Sequence, residues 1–160
     1  MDSASLKLLE ADIKAQLENI EQVYAELEDR AAQIRPGDLG YIESTGYQLH
    51  NLYNAIEDLF KIAAGAFENN VTDLSRWHTE LLRRMTLTIE GIRPALISKE
   101  SAALLNELRA FRHLFRHAYV VRLDLYKIEE NIKRARSLRS LLPRDVQTFL
   151  HTLGTMGDEN

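Results

Sequence analysis

Apolar residues recur every three or four positions along the first 34 residues of the chain. This spacing matches the 3.6-residue turn of an α-helix, so it predicts one long helix with a single apolar stripe. Residues 35–40 should end that helix, because Pro36 and two glycines interrupt its hydrogen bonding and its backbone preference. The stripe consists of Leu6, Leu9, Ile13, Leu17, Ile20, Tyr24, Leu27, Ala31 and Ile34.

A second stripe with the same spacing follows between residues 42 and 67. It predicts a second long helix, and the short break between the two stripes favours an antiparallel helical hairpin. The polar side of this second helix carries Asn51, Asn54 and Glu57, which could face a cleft. The stripe consists of Ile42, Thr45, Leu49, Leu52, Ile56, Phe60, Ala63 and Phe67.

Capping residues and chain breaks divide the rest of the chain into shorter helices. A side-chain oxygen at a helix start accepts hydrogen bonds from free amides, and proline is tolerated in the first turn because it has no amide hydrogen. Residues 91–94, with Gly91 and Pro94, should end the third helix. The residues predicted to begin the third to sixth helices are, in order, Thr72 or Asp73, Ser98, Asp124 and Pro143.

The predicted fold is therefore all-α: an up-and-down bundle of four to six helices that begins with the long hairpin. A chain of 160 residues, of which 45% are hydrophobic, is long enough to bury one sizeable core. We predict a single helical domain over residues 1–153. Residues 154–160 contain two glycines and several polar residues, and they are predicted to form a flexible tail.

The composition also bears on the compartment. The chain has no cysteine, so it can form neither a disulfide nor a thiolate metal site. Its first residues carry charges at Asp2, Lys7 and Glu10, unlike the apolar segment of an export signal. No run approaches the roughly 20 apolar residues of a membrane span. The sequence predicts a cytoplasmic protein that does not enter a membrane.

The charge is distributed unevenly along the chain. Residues 1–80 contain 6 Lys and Arg against 15 Asp and Glu, a net charge of −9, whereas residues 81–160 contain 14 against 9, a net charge of +5. Local potential matters more for ligand binding than total charge, so an anionic ligand is expected to meet the second half. A solvated basic face without a ligand is the alternative interpretation.

The positive charge is concentrated in residues 112–119, RHLFRHAY. Arginine suits phosphate oxygens, and histidine exchanges a proton near neutral pH, so this segment favours chemistry on a phosphodiester. At about 100° per residue, the fourth helix has an apolar face of Leu104, Leu108, Phe111, Phe115 and Ala118. Its basic face consists of Arg109, Arg112, His113, Arg116 and His117, with Tyr119 at the edge.

Basic residues late in a helix are also favoured by the helix dipole, which gives a purely structural explanation of this segment. The residues nevertheless fit R-x4-H-x-Y, with Arg112, His117 and Tyr119 at the fixed positions, and this pattern resembles the signature of HepT-type toxins in the all-helical HEPN superfamily. The resemblance covers roughly residues 41–128. Its blocks are YQLHNLYNAIEDLFKIA, WHTELLRRM, IRPALIS and FRHLFRHAYVVRLDLYK.

The resemblance implies a metal-independent endoribonuclease that needs no cofactor, in which an RNA 2′-hydroxyl attacks the adjacent phosphate. On this hypothesis His117 transfers protons and Arg112 stabilises the extra negative charge on phosphorus. Tyr119 could position the phosphate, and Arg109, His113 and Arg116 are candidates for holding substrate. One chain supplies one R-x4-H unit, whereas the reaction needs an acid and a base, so we expect a homodimer with a shared cleft.

The resemblance also implies a partner protein. Toxins of this type are paired with a minimal nucleotidyltransferase antitoxin that transfers AMP from ATP to the tyrosine of the motif, which is Tyr119 here. A noncatalytic HEPN module that binds a nucleotide or a partner, associated with a nucleotidyltransferase, is the alternative function. A metal site built on His113 and His117 is disfavoured, because the neighbouring arginines would repel a cation.

Overall fold

A computed structural model describes residues 1–67, 77–117 and 123–158 of the chain. These residues form five α-helices and no named strand, so the all-α prediction is confirmed. No helix within these ranges is long and apolar enough to cross a membrane. The helices are α1 (Ser3–Ala31), α2 (Leu39–Phe67), α3 (Trp77–Met85), α4 (Lys99–His117) and α5 (Leu125–Asp158).

The two long N-terminal helices form the predicted hairpin. The Oδ1 atom of Asp2 accepts a hydrogen bond from the Ser5 amide at 2.7 Å, which caps the start of α1. Gly37 lies in the connection to α2 with a φ of 84°, a backbone conformation that favours glycine. The predicted stripes face inward: Ile13 and Leu27 of α1 pack with Ile56 of α2 in a core to which all five helices contribute.

The start of α4 is fixed by side chains from two helices. Ser98 caps α4 as predicted, because its Oγ atom accepts a hydrogen bond from the Ser101 amide at 3.1 Å. The buried carboxylate of Asp145, on α5, accepts from the Ser98 amide at 2.9 Å and from the Ser101 hydroxyl at 2.6 Å. A negative charge at a helix N-terminus is favourable, so Asp145 both satisfies α4 and joins it to α5.

The third helix ends earlier than the sequence predicts. It stops at Met85 instead of reaching residues 91–94, and a turn with Gly91 at a φ of 73° follows. The physical reason is Arg93, which is only 1% exposed. Its guanidinium donates to the carbonyl oxygens of Arg84 at 3.1 Å and Leu87 at 3.0 Å. These bonds add a donor to carbonyls at and just beyond the end of α3, where helical hydrogen bonding stops. The predicted caps Thr72 and Asp73 lie outside the described residues.

The fifth helix is longer than predicted. Asp124 starts it as expected, since its Oδ1 atom accepts from the Tyr126 amide at 3.1 Å. The prediction of a separate sixth helix at Pro143 is wrong, because Pro143 lies inside α5. Leu142 and Val146 flank Pro143 and are buried, while Pro143 itself is exposed. Proline leaves the carbonyl four residues earlier, that of Arg139, without its helical donor, and on the solvent side of a helix such a carbonyl can bind water.

The end of α5 also differs from the prediction. The segment from residue 154 was expected to be a flexible tail, but α5 continues as a helix to Asp158. Leu153 is buried at this end, next to Phe149 one turn earlier. Their burial holds the last turns of α5 on the core, which local composition does not reveal.

Candidate functional site

The fourth helix has the two faces that its sequence predicts. Leu108 and Phe111 are buried, and Leu104 and Phe115 pack partly against the core. Ala118, the last member of the predicted apolar face, lies outside the described residues. On the other face, Arg109 and Arg112 are half-buried, and His113, Arg116 and His117 are exposed. The helix therefore offers one continuous basic surface next to α2 and α3.

Arg112 is held in place by α2. Its Nε atom donates a hydrogen bond to Oδ1 of Asn54 at 2.6 Å. Its guanidinium carbon lies 5.8 Å from the centre of the Tyr53 ring, within the range of a cation–π contact. Neither terminal amino group of Arg112 bonds to another described residue. The fixed guanidinium can therefore offer both of these groups to an anion.

Asn54 is held in turn by a histidine on its own helix. The Nδ2 atom of Asn54 lies 3.0 Å from Nε2 of His50. The His50 ring lies between Tyr47 and Phe115, with ring centres 6.4 Å and 5.7 Å away. Burial lowers the pKa of His50, and the positive charges of Arg112 and Arg116 lower it further. His50 is therefore neutral at physiological pH.

The two histidines of the basic face lie together at the end of α4. The ring centres of His113 and His117 are 4.4 Å apart, with their planes at 63°. Both rings and the Arg116 side chain are open to solvent. His117 is the last residue of α4, and five residues of helix rotate it by roughly 140° from Arg112. The two imidazoles are thus accessible to a substrate.

Arg109 contacts protein groups on two helices. Its terminal amino groups donate to Oγ1 of Thr79 on α3 at 2.7 Å and to Oδ1 of Asn106 at 2.8 Å. These bonds join α3 to α4. The terminal amino groups of Arg109 therefore bind protein groups in this structure. A contact between Arg109 and substrate stays a prediction.

Of the three polar residues singled out on α2, only Asn54 meets Arg112. Asn51 donates to Gln48 at 3.4 Å instead, and Glu57 is 3% exposed, with Lys61 at 3.7 Å. Sequence reasoning missed His50. A polar pair at positions i and i+4, His50 and Asn54, is the signal that could have indicated it.

Two further predictions concern Tyr119 and the binding of a metal ion. Tyr119 lies outside the described residues, so its place in the cleft and its modification stay predictions. Within the described ranges, no three His, Cys, Asp or Glu side chains are arranged to hold a metal ion. Two imidazoles alone fall short of the three protein ligands usual at a catalytic zinc.

The lowered pKa of His50 predicts how stability depends on pH. In the folded state His50 takes up a proton less readily than in the unfolded chain. The free energy of unfolding therefore keeps its full value above the ordinary histidine pKa of about 6.5, and it decreases as the pH falls from there through the lower pKa of the folded state. His50→Gln removes this contribution. Urea unfolding measured from pH 7.5 to 5 should therefore show a smaller loss of stability for this variant than for the wild type.

His151→Gln, which changes an exposed histidine on α5, is the matched control and should follow the wild type. Equal slopes for His50→Gln and the wild type would contradict the assignment.

The described helices form the all-α fold that the resemblance to the HEPN superfamily implies, and α4 carries Arg112 and His117 at the spacing of the R-x4-H pattern. A family model described as HepT-like protein matches residues 44–153, which is most of the chain, and the protein belongs to this HepT-like family of the HEPN superfamily. The match includes Arg112 and His117, whereas α1 lies before it. No curated protein and no solved structure matches the chain.

Proposed function

We propose that this protein is the toxin of a toxin–antitoxin system and acts as a metal-independent endoribonuclease in the cytoplasm. Membership of the HepT-like family supports a HEPN toxin-like module. The observation that carries the proposal is the basic face of α4, where Asn54 holds Arg112 and leaves its terminal amino groups unpaired among the described residues. His117 lies exposed on the same helix.

The proposed reaction is a transesterification within RNA. The 2′-hydroxyl oxygen bonds to the adjacent phosphorus, and the bond from phosphorus to the 5′-oxygen of the next nucleotide breaks. The proton leaves the 2′-hydroxyl for a base, and an acid protonates the departing 5′-oxygen. The products are a 2′,3′-cyclic phosphate and a 5′-hydroxyl. Arg112 offers forked donors to the phosphoryl oxygens, whose negative charge grows in the transition state.

A homodimer would complete this chemistry. His117 provides one proton-transfer group per chain, whereas the reaction needs two, one acid and one base. If α4 meets its copy across a two-fold axis, a shared cleft would contain two copies of Arg112 and His117. The exposed positions of His113 and Arg116 would let them hold substrate in such a cleft, and that of His117 would let it transfer protons.

A minimal nucleotidyltransferase is the proposed antitoxin. Transfer of AMP from ATP to the hydroxyl of Tyr119, two residues beyond His117, would release pyrophosphate, add a phosphate beside the basic face and fill part of the cleft. RNA would then be excluded by charge and by volume. Mass spectrometry of the protein co-expressed with a minimal nucleotidyltransferase tests this step. An unmodified Tyr119 in an inactive complex would instead indicate steric inhibition.

The activity itself is tested with purified protein, EDTA and a mixed-sequence RNA oligonucleotide. We expect cleavage in the presence of the chelator and fragments that end in a cyclic phosphate and begin with a 5′-hydroxyl. The same oligonucleotide with deoxyribose at every position should stay intact, because it lacks the attacking hydroxyl. RNA that is bound but uncut over a broad pH range would overturn the nuclease proposal and favour a noncatalytic binding module.

A further inference from the structure

A short chain of hydrogen bonds joins α2 to the arginine of the R-x4-H pair. It runs from Nε2 of His50 to Nδ2 of Asn54 at 3.0 Å, and from Oδ1 of Asn54 to Nε of Arg112 at 2.6 Å. Asn54 and Arg112 are 58 residues apart in the sequence, so this contact exists only because of the way the bundle packs.

The chemistry of the three side chains fixes which atom donates and which accepts in each of these hydrogen bonds. The Nε atom of arginine can only donate, so the amide atom that faces Arg112 must be the oxygen. The amide nitrogen of Asn54 therefore faces His50 and donates to Nε2. The Nε2 atom of His50 can accept a hydrogen bond only when the imidazole is neutral and carries its proton on Nδ1. Neutral His50 and Arg112 thus require the same orientation of the Asn54 amide, and that amide holds Nε of Arg112.

Close packing of the two helices brings these groups within reach of each other. A Cβ atom at Gly46 would lie 3.2 Å from a ring carbon of Phe115, so the absence of a side chain on this residue leaves room for the Phe115 ring of α4. His50 and Asn54 follow Gly46 at intervals of four residues and share its side of α2. The same side of α2 therefore contacts both the Phe115 ring and Arg112 of α4.

The hydrogen bonds between His50, Asn54 and Arg112 are half-buried. Tyr53 is 1% exposed and lies beneath the guanidinium, and the Nδ1 atom of His50 is buried without a partner among the residues that the structure describes. A hydrogen bond to a charged group is stronger than one between neutral groups, and restricted access of water preserves it. Arg112 is thus held before any substrate arrives.

We propose that Asn54, oriented by neutral His50, is a positioning residue that directs the two terminal amino groups of Arg112 toward the scissile phosphate of RNA. This inference rests on the proposed nuclease function. It goes further by assigning a task to two α2 residues that lie outside the R-x4-H pair. Occupation of Nε by Asn54 leaves the other edge of the guanidinium, with its terminal amino groups, for phosphate.

The kinetic test compares Asn54→Ala with Asn51→Ala, a matched change one turn earlier on α2. A displaced guanidinium loses stabilisation of the transition state more than it loses binding of RNA. We expect Asn54→Ala to lower kcat about 10- to 100-fold with KM changed by less than about 3-fold. Asn51→Ala should keep the wild-type values. Equal kcat values for Asn54→Ala and the wild type would overturn the proposal.

A double variant separates positioning from a general loss of structure. If Asn54 acts only through Arg112, then Asn54→Ala combined with Arg112→Ala should cleave RNA at the rate of Arg112→Ala alone. Multiplied losses would overturn the proposal, because they would show that Asn54 acts by another route.

A spectroscopic measurement tests the contact without reference to cleavage. In ¹⁵N-labelled wild-type protein, the Nε proton of Arg112 should exchange slowly with water, and Arg112→Lys identifies its signal by removing it. Asn54→Ala should abolish this protection, and Asn51→Ala should preserve it. Protection that survives in Asn54→Ala would overturn the positioning role. A wild type with protected Arg112 that leaves RNA intact would refute the nuclease function and still support the contact.

Discussion

Replacement of His117 by alanine is expected to reduce RNA cleavage by about 10²- to 10⁴-fold, the usual contribution of a general acid or base. His117 is exposed at the end of α4, so the change removes no core contact and the protein should fold as before. Initial rates on a fluorescently labelled RNA oligonucleotide measure the loss, and circular dichroism checks the fold.

The matched control for this change is His151→Ala, which removes an exposed histidine from α5. It should cleave RNA at the wild-type rate. Arg112→Ala is expected to lose about 10²- to 10³-fold, as when a donor to a developing negative charge is removed. Arg112→Lys should recover little of this loss, because lysine keeps the charge but lacks the forked donors and the Nε group that Asn54 binds. Full activity in His117→Ala would remove His117 from the mechanism.

The second large effect is expected at Arg93, and it concerns stability. Arg93→Met keeps an apolar chain of similar length but removes the donors to the carbonyls of Arg84, Leu87 and Pro94. The Arg93 side chain is 1% exposed, so its loss would remove hydrogen bonds from a charged group at a buried position, which is costly. We expect the free energy of unfolding to fall by about 3 to 5 kcal/mol.

Urea unfolding followed by circular dichroism measures this loss. Arg83→Met provides the control, since Arg83 lies on the surface of α3 and, within the described part of the chain, its side chain pairs only with the exposed Glu80. Pairs of this kind contribute little, and the control should unfold close to the wild-type midpoint. If both variants unfold at the same urea concentration as the wild type, Arg93 does not hold the end of α3.

Much of the fold follows from local sequence patterns. The stripes of the first 67 residues predict the hairpin because each apolar residue repeats with the period of the helix that buries it. Ser98 and Asp124 predict helix starts because a cap acts over a few residues. Where a distant group decides the outcome, local patterns fail. Arg93 ends α3 from outside that helix, and packing of α5 on the core carries the helix past Pro143.

In the candidate site too, some features follow from local sequence and others depend on tertiary packing. The sequence by itself determined the two faces of α4 and the spacing of Arg112 and His117, because helical geometry converts residue number directly into direction. Only the tertiary structure decided that Asn54 and His50 meet Arg112. Hydrogen bonds between distant helices depend on how those helices pack, and here Gly46 leaves room for the Phe115 ring of α4 against the same side of α2.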